Sequence, residues 1–398
     1  MDDRSVTGRV GVDRSRRRFV AASTALGGAV FAGCISGGDD PSGNGQSNGD
    51  GHTATLQPVG DVSFDTVPER VFVAFPQYAD MAVALGHGDA VTTLFSTEMS
   101  GTTMNKFYDH LPGVSFDWEG LPNPLEGGLR KEQLYELDSD VHFLDPSYVL
   151  KHDDWTEDDI DDIASTVGPW IGNFHSGVHS DPADAYADQY EFYTLWELFD
   201  RVADVFQERE RYAELKAVYD ELHDHIASNL PPEDERPTAA RVTLGDGQFY
   251  TYHLNAPGYW QADTRPLAAN DALADRSWSG DWGTVDYETM LDADPDVILH
   301  LWGITSQYSI DNIRDELESH PVGSDLTAVQ NDRVVAGGMR YQGPLMNLFQ
   351  LEMTAKQLYP DEFGAWPGYE PGTPYPDIPE DERLFDRERV ATIVRGEF

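Results

Sequence analysis

The chain has 398 residues and a formal charge of −44, from 71 Asp and Glu against 27 Lys and Arg, only five of which are lysine (Lys106, Lys131, Lys151, Lys216 and Lys356). So negative a chain is unsuited to nucleic acid or anionic membrane surfaces, yet with 40% hydrophobic and 11% aromatic residues it is not a disordered acidic protein. Self-repulsion on this scale is tolerable where molar salt cuts the screening length to about 3 Å, so the composition points to a halophilic source.

Chain order begins with Ser15-Arg16-Arg17-Arg18-Phe19-Val20, a weakly apolar stretch to Val30, and Phe31-Ala32-Gly33-Cys34. A twin arginine before a mild hydrophobic core is an export address for folded proteins, and small residues before a cysteine form a lipobox. Residues 1–33 are therefore expected to be a signal peptide, with Cys34 lipidated after cleavage. Losing six Arg and three Asp with residues 1–33 moves the formal charge from −44 to −47. Cys34 is the only cysteine, which excludes disulfides and CxxC metal sites. Ser36 to Thr53 is almost entirely Gly, Ser, Asn and Asp, so 34–57 is expected to be a flexible linker, its 18-residue core spanning roughly 25 Å.

A soluble part of roughly 345 residues exceeds what one core usually supports, so two domains are expected. In the first, 58–205, Val67 to Phe75 reads as a strand, Gln77 to Leu85 as a helix ended by Gly86, Ala90 to Phe95 as a second strand and Val141 to Leu144 as a third. Asp181-Pro182 offers an N-cap and first-turn proline to a long helical region with Tyr186, Tyr190, Tyr193, Trp196 and Phe199 at three- and four-residue steps. A connecting helix is expected over 206–230, with Tyr212, Leu215, Tyr219, Leu222 and Ile226 on one face and a stop at Pro231-Pro232. The second domain, 237–362, repeats the plan with strands at Ala239–Leu244, Val297–Leu301 and Arg333–Ala336 and a helix from Leu345 to Tyr359. Residues 363–398 form a Pro-rich tail, irregular apart from a short helix within Asp381–Val394, with no function evident from the sequence.

One motif occurs twice: Glu132-Gln-Leu-Tyr-Glu-Leu-Asp-Ser-Asp140-Val-His-Phe-Leu and Glu288-Thr-Met-Leu-Asp-Ala-Asp-Pro-Asp296-Val-Ile-Leu-His. In each, a Glu opens a helical turn with Leu134 or Leu291 facing inward, and an Asp eight residues later precedes a buried parallel strand. The fold class is therefore α/β: two parallel-sheet lobes joined by a long helix, with a cleft between them.

The duplication, the central helix and Gly337-Gly338-Met339-Arg340-Tyr341-Gln342-Gly343-Pro344 resemble the iron-siderophore and cobalamin type of ABC-importer substrate-binding protein over residues 58 to 360. That resemblance implies a monomeric protein without a cofactor of its own, which hands a metal chelate to permease and ATPase subunits. It implies that Glu132 and Glu288 dock on permease arginines. Read from the residues alone, the two are equally solvated helix-start acids favoured by the dipole.

Ligands of open α/β sheets sit at the carboxyl ends of strands. The rule points to Gln77 and Tyr78, Ser96, Asp145 and Tyr148, and Trp170 in the first lobe, and to Gln248, Tyr250, Tyr252, Trp302, Arg340 and Tyr341 in the second. Aromatics dominate, which suits a bulky, partly apolar chelate such as a siderophore, corrinoid or haem-like compound. Tyr250, Tyr252 and Trp302 are equally readable as core, and Arg340 as one half of an ion pair. His175 and His179 sit in a Gly- and Ser-containing stretch where no helix aligns them, so no metal site is expected. His87, His142, His253 and His300 are the donors a divalent-metal receptor would draw on, but their spacing does not assemble them. The rival class is an anchored extracellular hydrolase using Asp145 or Asp246 with His253, although no GxSxG elbow, GxGxxG or P-loop is present.

Overall fold

The structure, a computed structural model, describes residues 51–278 and 280–398. The twin-arginine segment, Cys34 and the linker as far as residue 50 lie outside them. The expected linker ends early, because an antiparallel hairpin begins at once: β1 (His52–Leu56) pairs with β2 (Gly60–Phe64), register His52 to Phe64 through Leu56 to Gly60. Ala54 and Leu56 alternate with Thr53 and Thr55 and are fully buried, the signature of a half-buried strand.

In the first lobe β3 (Val71–Val73) leads into α1 (Pro76–Ala84), whose proline occupies the first turn and whose chain reverses at Gly86, φ +79°. The strand expected at Ala90–Phe95 is reduced to a single bridge between Val71 and Val91. Beyond it the Thr93 hydroxyl accepts from Val73 N–H at 2.9 Å and donates to Val73 C=O at 2.8 Å, so a side chain replaces the ladder. Helices α2 (Thr97–Tyr108) and α3 (Lys131–Leu137) precede β4 (Val141–Phe143), which runs parallel to β3 with Val71 opposite Val141. The short α4 (Pro146–Val149) and the capping-boxed α5 (Glu157–Thr166) complete the lobe.

The connector is two helices, α6 (Leu195–Phe206) and α7 (Arg209–Asn229), broken at Gln207, φ +57°. Asp181-Pro182 does not start it. The start is Thr194, whose hydroxyl accepts from Glu197 N–H while the Glu197 carboxylate accepts from Thr194 N–H at 2.8 Å. That reciprocal pair satisfies two end donors where Asp-Pro would satisfy one. Leu215, Val218, Leu222 and Ile226 form the buried face of α7.

The second lobe holds β5 (Thr238–Gly245), β6 (Gln248–Tyr252), β7 (Asn270–Asp271), β8 (Gly283–Val285), α8 (Tyr287–Ala293), β9 (Val297–His300), α9 (Ile310–Ser319), α10 (Thr327–Gln330), β10 (Val334–Ala336) and α11 (Pro344–Leu358). Its sheet runs β10-β9-β5-β6-β8, with β7 also on β5; β10, β9 and β5 are parallel, and β6 is antiparallel to both neighbours. Gln248, Tyr250 and Tyr252, expected just beyond a strand end, thus lie within a strand themselves. Asp246 and Gly247 both have positive φ, +52° and +70°, as a tight two-residue hairpin turn demands.

After α12 (Pro360–Phe363) the tail is largely irregular until α13 (Arg387–Val394). It is not peripheral: Tyr369, Tyr375, Ile378, Phe385, Val390 and Ile393 are buried, and Arg387 pairs with Glu352 of α11 at 2.8 Å, both inaccessible.

Candidate functional site

The two motif copies occupy equivalent places. Helices α3 and α8 each span seven residues, and each ends on a left-handed Asp, Asp138 at φ +46° and Asp294 at φ +35°. Asp140 then accepts from Arg70 N–H at 2.9 Å and Asp296 from Thr238 N–H at 2.8 Å, so each carboxylate closes the turn against the lobe's first strand. The inward side chains are Leu134 and Met290, both fully buried; Leu291, expected in that role, is half-buried because Met290 holds the position two after the Glu. Glu132 and Glu288 are exposed in the first turns.

Between the lobes, Arg340 stands four residues beyond β10 in an enclosure of rings. Its Nη1 donates to the Tyr252 hydroxyl at 2.8 Å and its Nη2 to the Tyr341 hydroxyl at 2.7 Å. Its guanidinium carbon lies 4.3 Å from the Trp260 ring centroid, 4.7 Å from Tyr341, 5.6 Å from Trp282 and 5.7 Å from Trp302. Arg340 forms no ion pair among the described residues, and its Nε is buried without a partner. Ring faces stabilise a cation by about 0.5–2 kcal/mol but carry no formal charge, so the guanidinium keeps a net demand for an anion.

The first lobe supplies the facing wall. Phe75 lies 5.1 Å and Phe95 5.9 Å from Tyr341, and Phe174 lies 4.3 Å from Tyr148 and 5.7 Å from Trp260. Burial pushes the Tyr148 phenol up to about 12, with Arg340 pulling it back. At the seam Gln77 donates to the Tyr259 hydroxyl at 3.3 Å, and the backbones meet closely: a Cβ on Gly258 would fall 2.2 Å from Gly177 C=O.

A buried polar chain fixes the floor. Trp196 of α6 donates to Asn347, Asn347 to Gln342 and Gln342 to Asp263, which pairs with Arg241 at 3.2 Å; Arg241 in turn donates to the Trp260 carbonyl. Asp263 therefore neutralises Arg241.

Of the residues expected at the cleft, Tyr148, Tyr252, Trp302, Arg340 and Tyr341 come together, and Gln77 is buried at the seam on Tyr259. Tyr250 shares the β6 face with Tyr252 and is half-buried. Ser96 is half-buried in a left-handed conformation, φ +44°, beside Phe95. The others do not reach the cleft. Tyr78 is core, 5.4 Å from Phe143, with its hydroxyl accepting from Asn173 N–H at 2.8 Å. Asp145 is spent on Ser147 N–H, Phe174 N–H and the Tyr190 hydroxyl at 2.6 Å. Trp170 donates to Ile160 C=O and packs on His142, while Gln248 is exposed beside the hairpin turn.

The residues of the rival hydrolase are not assembled: Asp246 is at the hairpin turn, and His253 pairs with Asp271 at 2.9 Å. His175 binds Ser180 and His179 stacks on Phe192; burial depresses His142 and His300 to about 4. No group of three or more His, Cys, Asp or Glu is arranged to hold a metal among the described residues, and no helix among them is long and apolar enough to cross a membrane. Phe75, Phe95, Phe174, Trp260 and Trp282 belong to the enclosure without having been anticipated. Phe75 and Phe95 end the expected strands, a position that could have flagged them.

The profile of the periplasmic binding protein family matches residues 71–341, from β3 to Tyr341. No curated protein is significantly similar in sequence. Among solved structures, a periplasmic binding protein from Veillonella parvula aligns at 16% identity over 78% of this chain and 97% of its own, TM-score 0.55. The iron uptake ABC transporter substrate-binding protein PiuA from Streptococcus pneumoniae aligns at 15% over 77% and 98%, TM-score 0.53. An ABC-type Fe3+-hydroxamate transport system protein from Saccharomonospora viridis aligns at 19% over 77% and 98%, TM-score 0.50. At such identities the likeness is one of fold. The profile match, spanning well over half the chain and the whole aromatic enclosure, makes this chain a member of the periplasmic binding protein family, solute-binding proteins that work with ABC permeases.

Proposed function

We propose that this protein captures a metal chelate that offers anionic or electron-rich oxygens, an iron siderophore or a related corrinoid or haem-like compound, and delivers it to an ABC permease. The observation that carries the reading is Arg340, a guanidinium without a carboxylate partner among the described residues, inside aromatic walls drawn from both lobes. A guanidinium that no carboxylate pairs favours a ligand offering anionic or carbonyl oxygens. Broad ring faces suit a bulky, partly apolar body and give a bare ion or a small sugar little to hold. Solved proteins of the same fold that are described as iron uptake and Fe3+-hydroxamate transport components support iron chelates as the class. Binding energy is the output: the ligand is released unchanged.

Around that core the proposal is an exported lipoprotein that leaves by the twin-arginine route, is anchored through Cys34 outside the cell and acts as a monomer. Exposed Glu132 and Glu288, one per lobe, would meet permease arginines. The experiment is titration in molar KCl with a ferric trihydroxamate, a ferric tricatecholate, haemin and cobalamin, following Trp emission and confirmed by calorimetry. A saturable single site for at least one is expected. Failure of all four with tight zinc or manganese binding would move the cleft to the metal-ion receptors, and turnover of a bound compound would favour the hydrolase.

A further inference from the structure

Lys106 lies on α2 of the first lobe, only 9% exposed, and no carboxylate pairs with it among the described residues. Its ammonium donates to Ile304 C=O at 3.0 Å, in the turn after β9 of the second lobe, and to the Tyr369 hydroxyl in the C-terminal tail. One side chain thus touches both lobes and the tail. Burying an ammonium against neutral oxygens costs more than burying a methionine there would, so stability alone does not account for it. Its geometry does something further.

Ile304 is two residues past Trp302, whose φ of +69° is a conformation a bulky side chain adopts only when its surroundings enforce it. Contacts within the lobe shape that turn: Trp302 N–H donates to Gly338 C=O at 2.8 Å, Gly303 N–H to His300 C=O at 3.0 Å, Ile304 N–H to Gly337 C=O at 3.2 Å, and the Thr305 N–H and hydroxyl to Trp302 C=O at 2.9 and 2.7 Å. Lys106 supplies the contact that comes from the other lobe, on the Ile304 carbonyl. The turn sets the Trp302 ring 5.7 Å from both the Arg340 guanidinium and the Tyr341 ring. On the far side, Tyr369 belongs to a tail anchored by Tyr375 against Phe107 and Phe349 and by the buried pair Arg387–Glu352.

We infer that Lys106 and Tyr369 form a positioning latch that holds the turn at residues 302–305 and so fixes Trp302 against Arg340, with the tail, which lies beyond the family match, keeping it closed. The inference rests on the reading of the Arg340 enclosure as the ligand site. It gives the tail a role in binding that its sequence does not suggest.

Lys106→Met and Tyr369→Phe test it in molar KCl, the second removing one hydroxyl and serving if the first does not fold. Acrylamide quenching of the ligand-free proteins, with the Trp302 contribution isolated by difference from Trp302→Phe partners, should rise in both variants; an unchanged Trp302 contribution overturns the latch whatever the ligand. For whichever of the ferric trihydroxamate, ferric tricatecholate, haemin or cobalamin binds, affinity should fall roughly tenfold in Lys106→Met, the scale of one lost hydrogen bond to a charged group. Adding Trp302→Phe should then weaken it no further, because both changes act on one contact. Full additivity would reduce Lys106 to a structural residue and overturn the proposal. If none of the four binds the unmodified protein, the chelate reading fails and the quenching still decides the latch.

Discussion

The Asp80 carboxylate accepts a hydrogen bond from Leu345 N–H at 2.9 Å, so a side chain of the first lobe caps the first turn of a helix belonging to the second. The same oxygen accepts from Met346 N–H at 3.3 Å, and the other takes the Tyr108 hydroxyl. A 15-residue helix presents partial positive charge at that end, and Asp80 meets it with no solvent access. The lobes share an electrostatic joint here.

Burial raises Asp80 to about 7, against about 4 for an unfolded Asp. Between those values the folded state holds a proton that the unfolded state has lost, so the contribution of Asp80 to stability is greatest below pH 4 and falls as pH rises toward 7. Above 7 both states are ionised and this contribution is flat. Asp145, raised to about 6 by burial, adds the same sign over a narrower range. Thermal midpoints across pH 4 to 8 in constant molar salt should therefore show a fall in the unmodified protein relative to Asp80→Asn. Parallel curves for the two would remove Asp80 as the group responsible.

Arg340→Gln should keep the fold, since no ion pair among the described residues is lost with the charge. A hydrogen bond to a charged group contributes about 1.5–3 kcal/mol, so affinity for an anionic chelate should drop by roughly ten- to hundredfold. Arg340→Lys should rescue little, because an ammonium cannot reach two phenols and a ligand in the same plane. Equal calorimetric affinities for Arg340→Gln and the unmodified protein would show that the anion demand lies elsewhere.

Much of the frame was legible because it rests on local periodicity. Val71–Val73 followed by Pro76, and Val297–His300 after Asp296, are buried apolar runs next to turn signals. The site was legible only in part. The rule that ligands gather at strand ends finds the right loops but not the direction each side chain takes. Asp145, Tyr78 and Trp170 all follow or flank strands, yet backbone N–H and C=O groups inside the first lobe claim their polar atoms. Phe174 and Trp260 meet only because the lobes do, a contact with no trace in local sequence. The Asp246-Gly247 hairpin is different: Asp-Gly is itself a strong two-residue turn signal, and it joins β5 to β6.

Salt should raise the unfolding midpoint steeply from dilute buffer to molar KCl. Exposed pairs such as Arg209–Asp204 weaken with screening, but each contributes only about 0 to 1 kcal/mol. They are outnumbered: 71 acids against 27 bases leave net repulsion as the larger quantity that ions suppress. A midpoint indifferent to salt would contradict the halophilic reading.

Cys34→Ser should leave ligand binding intact and abolish membrane retention, since the proposed lipid needs the thiol and no helix among the described residues can span a bilayer. Cell fractionation measures it. A variant that stayed with membranes would refute the lipobox.

Glu132 and Glu288 lie in the first turns of matching seven-residue helices, exposed and free of ion pairs among the described residues. The proposed docking on a permease of two-fold symmetry calls for one anionic contact from each lobe, and these two stand at the same offset from Asp140 and Asp296, which close equivalent turns. Neither residue belongs to the Arg340 enclosure. Replacing both by Ala should therefore leave ligand affinity and the unfolding midpoint within error while uptake by cells collapses. Exposed ion pairs are worth about 0 to 1 kcal/mol, less still in molar salt, so the two must become desolvated at the interface to matter, and single variants should lose uptake only partly. Ligand binding and whole-cell uptake measured on the same double variant separate the roles: normal uptake would reduce both residues to solvated helix-start acids and leave the binding site as it stands.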